Sequence, residues 1–322
     1  IFVLGGENST GTFTGSGTLK TQGTITNNST ITQGSLEILT GSLRTAADAL
    51  TITNGISNSS ELYLTGGELT SALTGTGLTT LEGNVVINSA VTSNRMVIAD
   101  KTLTVGSAGS LDLAGLKSNG GVLDTQNNKK DTVNLGNVVL QGNLNLKLDA
   151  SLADTPTADY FDATELTTNG NHIVVDSIKI LSDPTSDLPI SIATFGSKLS
   201  SAVQIASGFK TEKSANDFSY LVTYSVDEGT SIGSLVFAYS DLYSAIHMSA
   251  QERYYTMASA EEVAKSLGIM QGDNATLTVR GNGFAVKGNS HGGVTIQDSD
   301  DTLVLENVSS WSGFDSVGIT NA

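Results

Sequence analysis

Three aspartates near the end of the chain are the clearest candidates for metal chemistry. Asp298, Asp300 and Asp301 lie within one short turn of the sequence QDSDDT. Carboxylate oxygens are the hard ligands that Ca²⁺ prefers, so this turn is a candidate calcium site. The glycine and the distal glutamate of a complete calcium-binding loop are missing, and an acidic turn of this kind is more often simply solvated.

Other cofactor and catalytic chemistries find little support among the residue types. The chain has no cysteine, which excludes thiol chemistry, and His172, His247 and His291 are too far apart to form a zinc motif. The glycine-rich segment RGNGFAVKGN lacks the order of a nucleotide-binding loop, and a strand-like segment follows it instead of a helix. We therefore predict a protein that is not an enzyme and needs no cofactor, calcium aside.

A polysaccharide-binding or polysaccharide-cleaving protein is the alternative. Repetitive β folds host such enzymes, with carboxylates and a basic residue lined along one face. In this sequence the arginines do not lie in strands flanked by alternating acids, and the acidic residues are spread over turns. This alternative therefore ranks second to a non-catalytic structural stalk or adhesin segment.

The elements that must position all these residues are short strands. Phrases such as GTLKTQ, GTITNN, GSLEILT, ALTITNG, ATLTVRGNG and DTLVLENV recur along the chain, with apolar residues alternating with Thr, Ser or charged residues. Strands this short cannot each bury a face alone, so their recurrence predicts stacked coils of about 20–25 residues. We predict an all-β fold, a right-handed parallel β-helix (β-solenoid), its handedness taken from the preference for right-handed crossovers.

The pattern divides the chain into four segments. Residues 1–150 carry the most regular coils, and residues 151–239 are predicted to form a wider β-helix region with longer loops and a hairpin-like pair, SYLVTYSVDEG and SLVFAYS. Residues 240–272 break the pattern and are predicted to form a helical cap or insert. From residue 273 to residue 322 the strand phrases resume, which predicts the start of a further β-helix module.

The helical prediction depends on spacing and capping. Ser240 or Asp241 is a suitable N-cap, and apolar residues follow at helical spacing, which predicts a short helix over residues 240–248. A second helix is possible over residues 258–267, with an acid and a base four residues apart. A short amphipathic helix beside a solenoid usually covers the open end of the core.

Aromatic residues concentrate in the wider region. A cluster of this kind is more often a packed core than a ligand platform, and we predict core positions for these residues: Phe161, Phe195, Phe209, Phe218, Tyr220, Tyr224, Phe237 and Tyr239. If the protein binds a ligand, exposed aromatics of this region or Trp311 are the expected contacts. A lone indole such as Trp311 is nevertheless more often buried in a wide coil than exposed as a contact.

Charge and hydropathy restrict the partners. The formal net charge is −16, so repulsion by phosphates makes a nucleic acid an unsuitable partner. No run of about 18 apolar residues is present, which predicts no direct membrane insertion by a helix of this segment. Both ends lie within strand-like phrases, and we expect the sequence to be a piece of a longer protein.

Three stretches carry a family resemblance. Passenger regions of bacterial autotransporters and of polymorphic outer-membrane-type surface proteins resemble these stretches: VVLQGNLNLKLDASLADTPTADYFDATELTTNGNHIVVDSIKIL, LYSAIHMSAQERYYTMASAEEVAKSLGIMQGDNATLTVRGNGFAVKGNS and GVTIQDSDDTLVLENVSSWSGF. The resemblance implies a parallel β-helix adhesin or stalk outside the cell, anchored at the outer membrane through parts outside this chain. It also implies partners among host or neighbouring-cell surface proteins, glycans, or further modules of the same chain.

Overall fold

The protein is built from parallel β-strands, with very little helix. The computed structural model describes residues 1–5, 11–186, 188–248, 251–272, 274–315 and 318–321. Its strands stack in successive coils, the arrangement of a β-solenoid, so the predicted all-β parallel architecture is confirmed. The coils form a first stack, which ends in an antiparallel hairpin, and a shorter second stack that follows a short α-helix.

The first stack contains twenty-seven strands in the described part of the chain. In chain order they are β1 (Phe2–Gly5), β2 (Phe13–Thr14), β3 (Thr18–Thr26), β4 (Ile31–Gln33), β5 (Ser35–Thr45), β6 (Leu50–Ile52), β7 (Ile56–Asn58), β8 (Glu61–Leu64), β9 (Gly67–Leu69), β10 (Leu73–Thr74), β11 (Leu78–Leu81), β12 (Val85–Ile87), β13 (Ala90–Thr92), β14 (Arg95–Ile98), β15 (Thr102–Val105), β16 (Ser110–Asp112), β17 (Gly115–Ser118), β18 (Val122–Asp124), β19 (Thr132–Asn134), β20 (Asn137–Leu140), β21 (Leu144–Ser151), β22 (Thr157–Ala158), β23 (Tyr160–Asp162), β24 (Glu165–Thr167), β25 (Ile173–Ser182), β26 (Ile190–Phe195) and β27 (Val203–Gln204). Two 3₁₀ turns interrupt them, at Ala47–Ala49 and Ser200–Ala202.

Each coil contributes one strand to each of three faces. Face 1 runs through β1, β3, β5, β7, β10, β13, β16, β19, β23 and β26, and face 2 through the later halves of β3 and β5 and then β8, β11, β14, β17, β20 and β24. Face 3 consists of two sheets, β2–β4–β6 and β9–β12–β15–β18–β21–β25–β27. The core lies between the three faces.

Alternation within each strand builds that core. On face 1, Leu36, Ile56, Leu73 and Val91 are register partners in consecutive coils, and each is at most 1% exposed. Their polar neighbours in the strands point outward, as the period of two predicts. These partners are 20, 17 and 18 residues apart, so two of the three coils are tighter than the predicted 20–25 residues.

The corners of the coils require particular residues. At the corner between faces 1 and 2, the side-chain amide of Asn58 donates to Thr79 Oγ1 at 3.4 Å, and Thr79 Oγ1 donates to Asn94 Oδ1 at 2.7 Å. In the long strand β5 the same corner is made by Gly41, whose φ is +74°. A Cβ atom on Gly41 would lie 2.3 Å from the carbonyl oxygen of Gly23, so only glycine fits.

An antiparallel hairpin closes the first stack. Strands β28 (Tyr220–Val226) and β29 (Gly233–Tyr239) pair with each other, and β29 pairs with β26, so the predicted hairpin is confirmed. The aromatic residues of this region lie in the core or pack against it, as predicted; Phe161 and Phe195 stack with their ring centroids 5.8 Å apart.

A short helix and the second stack follow. Helix α1 (Leu242–His247) begins at Asp241, whose side chain accepts a hydrogen bond from the amide of Ser244 at 2.8 Å. The second stack contains three coils: β30 (Glu252–Thr256), β31 (Glu261–Glu262) and β32 (Gly268–Ile269); β33 (Thr276–Arg280), β34 (Ala285–Lys287) and β35 (Val294–Ile296); β36 (Thr302–Glu306), β37 (Ser310–Ser312) and β38 (Ile319–Asn321). Corresponding strands pair in parallel.

The second predicted helix, over residues 258–267, is wrong. This segment forms part of the first coil of the second stack, where Glu261 is the register partner of Val286. Val263 and Leu267, whose spacing of four resembles that of a helix, both point into the solenoid core. The acid and base do not pair either, since Lys265 Nζ donates to Asp217 Oδ2 at 2.8 Å. Coil formation thus begins before residue 273.

Candidate functional site

The predicted calcium turn is engaged in contacts within the solenoid. Asp301 Oδ1 accepts a hydrogen bond from the amide of Ala275 at 2.7 Å, which ties the turn to the preceding coil. The amide of Asp301 donates to the carbonyl oxygen of Asp298 at 3.1 Å, and Asp300 is exposed. Among the described residues, no group of three His, Asp or Glu side chains is arranged to hold a metal ion. The geometry therefore adds no support to the calcium hypothesis.

Trp311 is half-buried in the last described coil. Its indole Nε1 donates to the carbonyl oxygen of Gly318 at 3.0 Å, and its ring stacks on Phe314 with centroids 5.7 Å apart. The side chain packs against the hydrophobic core. These contacts satisfy its polar atom internally, which favours a core role over a ligand contact.

A polar groove of about 490 Å³ lies where the end of the first stack meets helix α1. Its carboxylate, Asp183, accepts hydrogen bonds from Tyr220 at 2.5 Å, Asn216 at 2.7 Å and Ser214 at 3.0 Å. The ring of Tyr243 is covered by Lys265 Nζ, 3.6 Å from its centroid. Since these groups are already satisfied by one another, the groove is better suited to joining the two parts of the chain than to holding a ligand.

The most unusual side chains of the first stack form what we call the aspartate cluster: Asp131, Asp149 and Asp159. Asp149 lies near the end of β21, Asp159 lies between β22 and β23, and Asp131 ends the loop that precedes β19. The hairpin between β21 and β22 brings Asp149 and Asp159 together, and the backbone of each donates to the other: the amide of Asp159 to the Asp149 carbonyl at 3.0 Å, and the amide of Asp149 to Asp159 Oδ2 at 2.9 Å.

Both carboxylates of the hairpin are fully buried. Asp159 also accepts hydrogen bonds from Thr125 Oγ1 at 2.6 Å and from the amide of Asp131 at 2.8 Å. Asp149 Oδ2 accepts from the amides of Asn127 and Asn128 at 2.9 and 2.7 Å. Asp149 Oδ1 is buried and has no hydrogen-bond partner among the residues described. One of the four carboxylate oxygens of the pair is therefore buried without a hydrogen-bond donor among the described residues.

The electrostatics of the cluster follow from this burial. Desolvation, followed by repulsion from Asp149, raises the pKa of Asp159 from its ordinary value of 3.8 to about 7, against the opposing effect of its hydrogen bonds. The pKa of Asp149 is also raised, mainly by desolvation. The hydrogen bonds from Asn128 and Asn127, and the charge of Lys179 on the neighbouring strand, oppose this rise. A pair of carboxylates with different proton affinities can serve as acid and base, but substrate cannot reach this pair because both side chains are buried.

Sequence reasoning missed the aspartate cluster. Its one local signal is the segment LNLKLDA, in which Leu144, Leu146 and Leu148 alternate inward and Asp149 follows within the same strand. An aspartate inside a strand is unfavourable unless other segments bury and bond it. The partners of Asp149 lie about twenty residues earlier in the chain, in a loop whose position over β21 depends on coil stacking.

Comparison with known proteins gives no relative. No family model, no curated protein and no solved structure matches the chain. No helix within the described ranges is long and apolar enough to cross a membrane.

Proposed function

We propose that this chain is a non-catalytic structural stalk or adhesin segment. The observation that carries the proposal is the stacking of coil upon coil in register along three faces. Each interior strand pairs with the coil before it and the coil after it, so bending the stack would break hydrogen bonds on several strands together. A stack of this kind extends by roughly 4.8 Å per coil. Length and stiffness are thus its main physical properties.

The two stacks are also held to each other at the joint, by which we mean helix α1 and its contacts with both stacks. These contacts support the proposal that the stiffness of the first stack continues into the second. The guanidinium of Arg253 is fully buried and donates through one nitrogen to the carbonyl oxygens of Ala245 and Ile246 at 2.9 Å, and also to that of Met248. These carbonyls lie at the C-terminal end of α1, where a positive charge is favourable. Lys265 of the second stack also forms an ion pair with Asp217 of the first at 2.8 Å.

The proposal has finer parts. The solenoid is right-handed, on the general preference of parallel crossovers. The chain is displayed at a bacterial cell surface, on the resemblance of its sequence to autotransporter passengers and on its acidic, cysteine-free composition. Its partners are surface proteins or glycans, or further modules of the same chain, bound weakly at many points along the polar outer faces.

The experiment removes one coil. Deleting residues 73–90 places Val91 where Leu73 was, because the two are register partners, and so removes one complete coil. The matched control deletes residues 73–81 and leaves half a coil, which puts apolar side chains on the wrong face. A stalk built of equivalent coils tolerates the first deletion and not the second, as measured by strand-type circular dichroism and a cooperative unfolding transition.

Three results would contradict the proposal. If the whole-coil deletion unfolds the protein as the half-coil deletion does, the coil is not the structural unit. If the intact protein releases reducing or unsaturated ends from a panel of neutral and acidic polysaccharides at catalytic rates, the polysaccharide-cleaving alternative is correct. Binding of high affinity, confined to a single glycan and lost on mutating one loop, would favour a dedicated receptor instead.

A further inference from the structure

The aspartate cluster lies under one loop of the solenoid wall, residues 125–131, which we call the clamp loop. Four hydrogen bonds join this loop to the two buried carboxylates: one from the Thr125 hydroxyl and three from the amides of Asn127, Asn128 and Asp131. The loop connects face 3 to face 1 at the point where the coils begin to widen. The stability of the loop's attachment to the wall therefore depends on the protonation states of these two carboxylates.

We propose that Asp159 and Asp149 form a pH-sensitive clamp, which holds the clamp loop against the solenoid wall in acid and releases it progressively as the pH rises to neutral. The proposal stands on geometry: two carboxylates in full burial, one buried oxygen without a partner among the described residues, and a loop that reaches them through backbone amides. It is independent of the stalk function, since a stack could be stiff with or without such a clamp.

The charges that face the pair decide the sign. An ionised Asp159 is repelled by Asp149. Asp149 is in turn repelled by Asp131 and attracted by Lys179 on the adjacent strand. Lys129 of the clamp loop does not compensate the pair, because its Nζ contacts Asp131 Oδ1 at 3.0 Å and the Gly109 carbonyl at 2.9 Å. The closed loop therefore favours the protonated form of Asp159.

Because the closed loop favours the protonated form of Asp159, the equilibrium constant for opening the loop must depend on pH. In the open loop Asp159 is hydrated and has its ordinary pKa of 3.8, whereas in the closed loop its pKa is about 7. Between these two values the closed state binds more protons, so the opening constant rises about tenfold for each pH unit and levels off above pH 7. Clamp stability is therefore fully present below about pH 4 and is lost as the pH rises through about 7.

Amide hydrogen exchange of the intact protein tests the proposal. Intrinsic exchange is base-catalysed, so the logarithm of the rate of an ordinary amide rises with a slope of about 1 against pH. For the amides of Asn127, Asn128 and Asp131, the opening term adds a second factor, and we expect a slope approaching 2 between about pH 5 and 6.5. The reference amide is that of Asn88, which donates to the Leu69 carbonyl in another part of the stack.

Two variants control for charge. Asp159→Asn removes the titrating group and is expected to return the slope to about 1. Asp176→Asn removes the same charge from an exposed position on the neighbouring strand β25 and is expected to leave the slope near 2. A slope of about 1 for the clamp-loop amides in the unmodified protein, or an unchanged slope near 2 in Asp159→Asn, would overturn the proposal.

A direct titration keeps the test decisive if Asp159→Asn does not fold. Carbon-13 NMR of the aspartate carboxyl groups in the unmodified protein is expected to show Asp159 titrating near pH 7. Asp176, which is exposed on the neighbouring strand β25, serves as the reference signal in the same spectra. An Asp159 carboxyl that titrates near its ordinary value of 3.8 would overturn the proposal without any variant.

Discussion

Replacing Leu73 by alanine should destabilise the protein far more than replacing Leu78, five residues later in the same coil. Leu73 is fully buried on face 1, between its register partners Ile56 and Val91. Leu78 lies on the outer side of face 2 and is half-buried. The two substitutions delete the same atoms, so any difference in stability reports only the direction in which each side chain points.

The magnitude follows from packing. A buried Leu→Ala change loses the transfer free energy and leaves a cavity, and these together cost about 3–5 kcal/mol when neighbours cannot move inward. The neighbours of Leu73 are held in place by ladder hydrogen bonds on both sides, so little collapse is possible. Leu78→Ala removes only part-exposed surface and should cost about 1 kcal/mol or less.

Urea unfolding followed by circular dichroism measures both values, and we expect the midpoint of Leu73→Ala to fall well below that of Leu78→Ala. Because stability in a repeat array is partly local, hydrogen exchange should also show the largest loss of protection in the coils next to Leu73. Equal destabilisation by the two variants, or a greater effect of Leu78→Ala, would show that the inward and outward assignments of this coil are incorrect.

Three further predictions concern the joint, the corners and the acidic turn. Arg253→Met should lower the free energy of unfolding by about 3–5 kcal/mol, because the helix-end carbonyls lose a buried donor, whereas Arg280→Met, which breaks an exposed ion pair, should cost less than about 1 kcal/mol in the same thermal unfolding assay. Gly41→Ala should cost at least about 1–3 kcal/mol, because its φ is +74° and a backbone carbonyl occupies the position of the new methyl, while Gly17→Ala meets no atom within 4 Å and should be neutral. Addition of about 1 mM Ca²⁺ should leave the melting temperature unchanged, and a rise that Asp300→Asn abolishes would restore the calcium hypothesis.

Local chemistry was sufficient to predict the architecture. Alternation with a period of two, with glycine and asparagine between the strands, predicts parallel coils because no single strand can bury its own apolar face. The same local rules predict the aromatic core, the hairpin of β28 and β29, and the beginning of α1 at Asp241, and all three are confirmed. The hairpin and the start of the helix depend on residues that are close in sequence.

The spacing of apolar residues did not by itself distinguish a helix from a β coil in the segment 258–267. Val263 and Leu267 lie four residues apart, a distance that fits one turn of helix and equally fits two inward positions on either side of a coil corner. The second arrangement is the one that pairs Glu261 with Val286 in the following coil. Pairing with a neighbouring coil thus determined the conformation, as is usual where tertiary context overrides local propensity.

The sequence by itself determined that the chain stacks as β coils, because every coil carries the same alternation of apolar and polar residues in short strands. Only the tertiary structure decided which polar side chains are removed from water. Asp131, Asp149 and Asp159 are ordinary turn and strand residues in the sequence, and they converge because the clamp loop closes over the hairpin of β21 and β22. Burial and mutual repulsion are properties of that convergence, and they give a common residue type its uncommon proton affinity.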